Sequence, residues 1–139
     1  MSEDDRARMR DYCDNLGERA WSRLEETPRG RVAYEVRRQF VKRFVLDGDY
    51  VLEIGAGPGR FTFDLALFGA TVEVTDYSPV QLELHRHRVG ATEAEKSVTS
   101  RAFLDICDTS RYEDATVDVV LAYGGPLSYA FDQTEVASK

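Results

Sequence analysis

Tyr50-Val51-Leu52-Glu53-Ile54-Gly55-Ala56-Gly57-Pro58-Gly59 runs from a short, mostly apolar segment straight into three alternating glycines. A near-continuous apolar run of this length reads as a buried parallel strand, and the glycines as the tight turn that ends it. Between a strand and a helix, such a loop lets backbone approach a ligand closely. It also aims the free N–H groups of the helix at that ligand, which suits a nucleotide-like molecule. A plain strand-to-helix turn is the alternative that the loop alone leaves open.

Downstream, the spacing predicts a helix from about Arg60 to Phe68, with Gly69 as its C-terminal cap. A β-branched strand follows at Thr71–Thr75, and Ser78-Pro79 supplies an N-cap and first-turn proline for a helix to about Val89, ended by Gly90. Val98–Leu104 fits a third strand and Val117–Ala122 a fourth. This order implies an α/β, Rossmann-like doubly wound sheet of parallel strands. Asp76 stands directly after the second strand, 21 residues beyond Gly55, where a carboxylate can accept bonds from both hydroxyls of a ribose. It could instead be a turn residue ahead of Ser78. The glycine spacing is G-x-G-x-G, whereas dinucleotide sites use G-x-G-x-x-G, and the sixth position here is Arg60. Glu53 ahead of the loop suits a cationic amino acid moiety better than a pyrophosphate.

Upstream, Met9, Tyr12, Cys13, Leu16, Ala20, Trp21 and Leu24 recur at helical spacing, predicting one amphipathic helix that ends before Thr27-Pro28. Ala33, Val36, Phe40 and Phe44 predict a second helix stopping near Asp47-Gly48-Asp49. Arg29, Arg31, Arg37, Arg38 and Arg43 in this stretch read as a solvated face, with an anion site as the alternative. The expected organisation is a single domain over 1–139, with N-terminal helices in 1–47 and the sheet in 48–139.

The chain has 139 residues, 42% of them hydrophobic, which is enough for one real core. A net charge of -7 argues against a nucleic-acid partner held through phosphates and against an anionic membrane surface. No apolar run approaches the roughly 20 residues of a membrane-spanning helix. Cys13 and Cys107 lie far apart with no hydrophobic leader before them, so a cytoplasmic location with reduced thiols is expected. His85 and His87 fall on different helix faces, so no metal site is expected. Cys107 reads as a small apolar filler.

From Val51 to Gly59 the chain resembles the first motif of class I S-adenosylmethionine-dependent methyltransferases. Asp76 then resembles the family's ribose-binding acid, and Asp105-Ile106 the pair that holds the adenine amino group and packs on its ring. Ala122-Tyr123-Gly124 is similar to the segment bordering the methionine end and the substrate. Tyr12 is similar to an N-terminal tyrosine that closes over the cofactor in some small-molecule members, with ordinary core packing as its alternative. The resemblance thus implies S-adenosylmethionine as cofactor, held by Tyr12, Glu53, Gly55, Ala56, Gly57, Gly59, Asp76, Tyr77, Asp105, Ile106 and Ala122. The implied activity is methyl transfer to a small-molecule acceptor, with no catalytic residue assigned, since transfer needs chiefly in-line placement. A non-catalytic nucleotide-binding or assembly module is the alternative. The family's sheet has seven strands and this chain ends before the fifth, so a truncated domain lacking the C-terminal strands is expected. An open edge at the fourth strand then predicts a homodimer.

Overall fold

The computed structural model describes residues 2–123. Gly124, in the segment expected to border the methionine end, lies outside the described residues. Helix α1 (Glu3–Leu16) starts six residues earlier than the apolar spacing predicts, because Ser2 and Asp5 form a capping box. It stops at Gly17, whose φ of +48° breaks the predicted single helix. A short α2 (Arg19–Ser22) follows. Helix α3 (Pro28–Lys42) begins with Pro28 behind Thr27, whose hydroxyl accepts from the Gly30 N–H at 3.0 Å.

The remaining elements are β1 (Tyr50–Ile54), α4 (Arg60–Leu67), β2 (Thr71–Asp76), α5 (Pro79–Gly90), a 3-10 turn (Glu93–Ser97), β3 (Val98–Phe103) and β4 (Val119–Leu121). All described strand pairs are parallel, in the order β3-β2-β1-β4. Strand β4 is shorter than predicted. Asp118, just before it, still donates its backbone N–H to the Tyr50 carbonyl at 2.9 Å, while its side chain takes the Tyr50 N–H at 2.8 Å. Among the described residues β4 pairs only with β1, and Val120 is 55% exposed.

Val51, Leu65, Val72 and Val74 are fully buried at the centre of the larger core, where α3, α4 and α5 pack on one face of the sheet. Leu52, Ile54 and Leu104 form a smaller core on the other face, covered by Ile106, Tyr112 and Val117. Each buried aliphatic side chain contributes about 1.5–3 kcal/mol, so this sheet centre is the rigid base of whatever its loops hold. Successive strands are added on one side of β1 and then β4 on the other, so the order reverses at β1. Ligands of open parallel sheets bind outside the carboxyl ends at such a point. No described helix is long and apolar enough to cross a membrane.

Candidate functional site

A cleft opens at the carboxyl ends of the strands, where Ile54, Gly55 and Gly57 follow β1, Asp76 and Tyr77 end β2, Leu104 and Ile106 follow β3, and Tyr123 follows β4. Its roof is Met9, Tyr12, Cys13 and Leu16 of α1 with Ala20 and Arg23 beyond. The roof is fastened to the first turn of α5. Asp14 accepts from the Ser78 hydroxyl, and the Gln81 amide donates to the carbonyls of Cys13 and Gly17 at 3.0 and 3.2 Å. Tyr12 is 53% exposed at the cleft, so it does not pack in the core. Burial pushes the Cys13 thiol up to about 11, which leaves it a protonated apolar liner.

Asp76 is 7% exposed, and its two oxygens accept from the N–H groups of Gly57 at 2.8 Å and Ser78 at 2.9 Å. It is therefore a turn acceptor as well as a cleft residue. Burial raises its carboxyl, opposed by these backbone donors. A carboxylate accepts about four hydrogen bonds, so acceptor capacity remains for a ligand. Across Gly57 lies Gln81, whose Oε1 is buried without a partner, although its amide nitrogen is satisfied. The sequence reasoning missed Gln81. The signal was its place three residues after Ser78, in the helical turn that faces the end of β2.

Glu53 and Ala56 line a smaller adjoining cavity that shares Gly55, Gly57 and Tyr123 with the cleft. Glu53 stands at the end of a chain of buried donors whose direction is fixed. Arg101 Nε donates to His85 Nδ1 at 2.9 Å, and an arginine can only donate, so the His85 proton sits on Nε2. That N–H donates to Thr62 Oγ1 at 2.9 Å, and the Thr62 hydroxyl donates to Glu53 Oε2 at 2.6 Å. Burial, then Arg101, hold His85 down at about 4, so it stays neutral, while His87 is exposed.

Burial lifts the Glu53 carboxyl to about 8 despite the Thr62 bond. Its contribution to stability is therefore present below about pH 4.5 and is lost as pH rises through 8. Glu53→Gln keeps an acceptor for Thr62 and removes the buried charge. The variant is expected to gain stability over the parent as pH rises from 5 to 9, by on the order of 2 kcal/mol, read from urea unfolding at each pH. A constant difference across that range would contradict the buried, up-shifted carboxyl.

The other expected site residues are placed differently. Asp105 lines neither cavity; its Oδ1 accepts from the Cys107 N–H at 2.9 Å and its Oδ2 pairs with Arg6 of α1 at 3.2 Å. Gly59 also lines neither, because it faces His85 and Val89 beneath the loop. Ala122 lies on the opposite sheet face from Leu121 and Tyr123, as strand alternation requires, and lines a separate cavity with Leu52 and Val117. Arg60 folds back over Trp21 and Tyr34, at 4.8 and 4.5 Å from the ring centres, and pairs with Glu25. Among the described residues no group of three or more His, Cys, Asp or Glu side chains could hold a metal.

These groups fit the cofactor implied by the sequence. Bare backbone at Gly57, the spare acceptor positions of Asp76, the orphaned Gln81 oxygen and the apolar Leu104, Ile106 and Met9 match a molecule with vicinal hydroxyls and a flat ring.

A family described as Methyltransferase domain matches residues 51–138. No curated protein matches the sequence. Among solved structures, phosphoethanolamine N-methyltransferase 1 of Haemonchus contortus, in complex with phosphoethanolamine and S-adenosylhomocysteine, is 22% identical with a TM-score of 0.66 over 88% of this chain and 26% of that one. A SAM-dependent methyltransferase from Thiobacillus denitrificans with S-adenosyl-L-homocysteine is 20% identical with a TM-score of 0.55, over 73% and 42%. Geranyl diphosphate C-methyltransferase of Streptomyces coelicolor, with Mg2+, geranyl diphosphate and S-adenosyl-L-homocysteine, is 18% identical with a TM-score of 0.53, over 63% and 33%. The chain thus spans between about a quarter and two fifths of the length of these structures, and shares their fold.

Proposed function

The chain belongs to the methyltransferase-domain family, and from that premise we propose that its cleft binds S-adenosylmethionine and serves methyl transfer to a small-molecule acceptor. The observation that carries this reading is the convergence of the Asp76 carboxylate and the unpartnered Gln81 oxygen on the bare backbone of Gly57. The S-adenosylhomocysteine in the three structures with this fold supports it, as do the phosphoethanolamine and geranyl diphosphate in two of them.

When bound, the cofactor supplies a methyl group activated on a sulfonium. Asp76 and Gln81 would accept from the ribose hydroxyls. Leu104, Ile106 and Met9 would enclose the adenine, and Asp105, next to Ile106 in the chain, would accept from its amino group once Arg6 shares the carboxylate. Glu53, which lines the adjoining cavity, would take the ammonium of the methionine moiety, and a cation there favours its ionised form. Helix α1 roofs the cleft and would limit the access of water to a bound ligand. Tyr123, with a phenol donating to the Arg37 carbonyl at 3.2 Å, stands where the two cavities meet and would border the acceptor.

Calorimetric titration of the purified protein with S-adenosylmethionine, S-adenosylhomocysteine and NAD tests the reading. Saturable binding of the first two, with Kd between about 1 μM and 1 mM, and none of NAD is expected. Binding of NAD alone would overturn it in favour of a dinucleotide site.

A further inference from the structure

The cavity that holds Glu53 continues outward. Arg23, Leu24 and Arg37 line both that cavity and an open groove formed with Thr27, Arg29 and Gly30 at the start of α3. Gly30 makes the groove possible. A Cβ there would stand 2.2 Å from the Arg23 carbonyl oxygen, so the glycine lets the α2–α3 turn close and sets Arg23 beside the first turn of α3. Arg29 and Arg37 are eight residues, about two turns, apart on one stripe of that helix.

The chain carries 25 Asp and Glu against 18 Lys and Arg. With that surplus of acid, most arginines find a carboxylate: Arg38 pairs with Asp64, Arg60 with Glu25, Arg88 with Glu18 and Arg101 with Glu95. Among the described residues Arg23, Arg29 and Arg37 have none within ion-pair distance; Arg10, Arg19, Arg31 and Arg43 also make no ion pair, but Arg23, Arg29 and Arg37 share one groove. The single carboxylate along the two cavities is Glu53, which is buried and held by Thr62. Three guanidinium groups without counter-ions, opening toward solvent on one side and the methyl-donor end on the other, match the recognition chemistry of a phosphate or carboxylate.

We propose that this groove binds an oxyanionic group of the methyl acceptor, so that the acceptor is an anion whose reacting atom reaches inward past Tyr123. The assignment rests on the reading of the cleft as the methyl-donor site. It takes up the anion-site alternative to a solvated face for Arg29 and Arg37. The rival source of the same chemistry is the carboxylate of the cofactor's own methionine moiety.

The test titrates inorganic phosphate, at low ionic strength, into the protein with and without saturating S-adenosylhomocysteine, for the parent and for Arg29→Gln/Arg37→Gln. S-adenosylhomocysteine affinity is measured separately for both. Phosphate is expected to bind with a Kd in the millimolar range, to stay bound beside S-adenosylhomocysteine, and to bind about tenfold more weakly to the double variant, with S-adenosylhomocysteine affinity changed by less than about twofold. No phosphate binding, or equal binding by parent and variant, overturns the site. Displacement of phosphate by S-adenosylhomocysteine, together with a loss of about tenfold in the variant's affinity for it, assigns the arginines to the cofactor and also overturns the proposal. If the parent binds no S-adenosylhomocysteine, the cofactor reading fails on its own, and phosphate binding by the ligand-free protein still decides the groove.

Discussion

Asp76→Ala is expected to weaken S-adenosylhomocysteine binding by about 100-fold or more, because each hydrogen bond to a charged acceptor contributes about 1.5–3 kcal/mol and two ribose hydroxyls would lose theirs. The same substitution leaves the N–H groups of Gly57 and Ser78 without their acceptor. Some loss of stability therefore accompanies it, on the order of 1–3 kcal/mol. Asp76→Asn separates the two effects, since its amide oxygen still serves one backbone donor while the charge is gone. The expected order of affinity is parent, then Asn, then Ala, with circular dichroism showing that all three are folded at the titration temperature. Parent-like affinity in a folded Asp76→Ala variant would reduce Asp76 to a turn residue.

Gly59→Ala should produce the largest loss of stability of any single methyl addition in the glycine loop. Gly59 has φ +98°, outside the range L side chains favour, and an added Cβ would lie 2.6 Å from Val89 Cγ2 and 3.0 Å from His85 Cδ2. Val89 and His85 are both fully buried, so neither can move aside into solvent. Backbone strain of about 1–3 kcal/mol and overpacking of about 1–3 kcal/mol add to roughly 4 kcal/mol. Out of the 5–15 kcal/mol typical of a domain, a loss of about 4 leaves a much weakened protein. Adding Val89→Ala should recover the overpacking part and leave the strain, which a chemical unfolding series on the parent, the single and the double variant reads directly. A single variant within about 1 kcal/mol of the parent would contradict the packing of the loop on α5.

What the sequence made legible was local. The apolar run and glycines at 50–59, the β-branched strand before Asp76 and the Ser78-Pro79 helix start each carry their own turn chemistry, and each lies where it was expected. The N-terminal helices were less legible, because apolar spacing continues across Gly17 and only the backbone there shows the break. Strand β4, Val119–Leu121, is shorter than its apolar run, since hydrophobicity at 117–122 does not mark where the ladder begins and ends. The support of Glu53 was invisible for a different reason. Thr62, His85 and Arg101 come from three elements and meet only after the sheet has formed. Strand parity, which is readable from the sequence, puts Ala122 and Tyr123 on opposite faces and favours Tyr123 at the cleft.

The consequence for the site is a division of labour between rigid and movable parts. The glycine loop, Asp76 and the Glu53 support are fixed by buried hydrogen bonds to the sheet. The roof formed by α1 has no fully buried residue and is held chiefly by polar ties at Ser78 and Gln81, with Arg6 on Asp105. Helix α1 is therefore the part expected to open locally and to become ordered over a ligand.

Amide hydrogen exchange with and without saturating S-adenosylhomocysteine tests the central claim most directly, because it reports both binding and its place. The account predicts added protection at residues 55–59, at 76–82 around Asp76 and Gln81, and along α1, with strand β4 unchanged. Binding without protection at 55–59 and 76–82, or with protection confined to another face of the sheet, would contradict it.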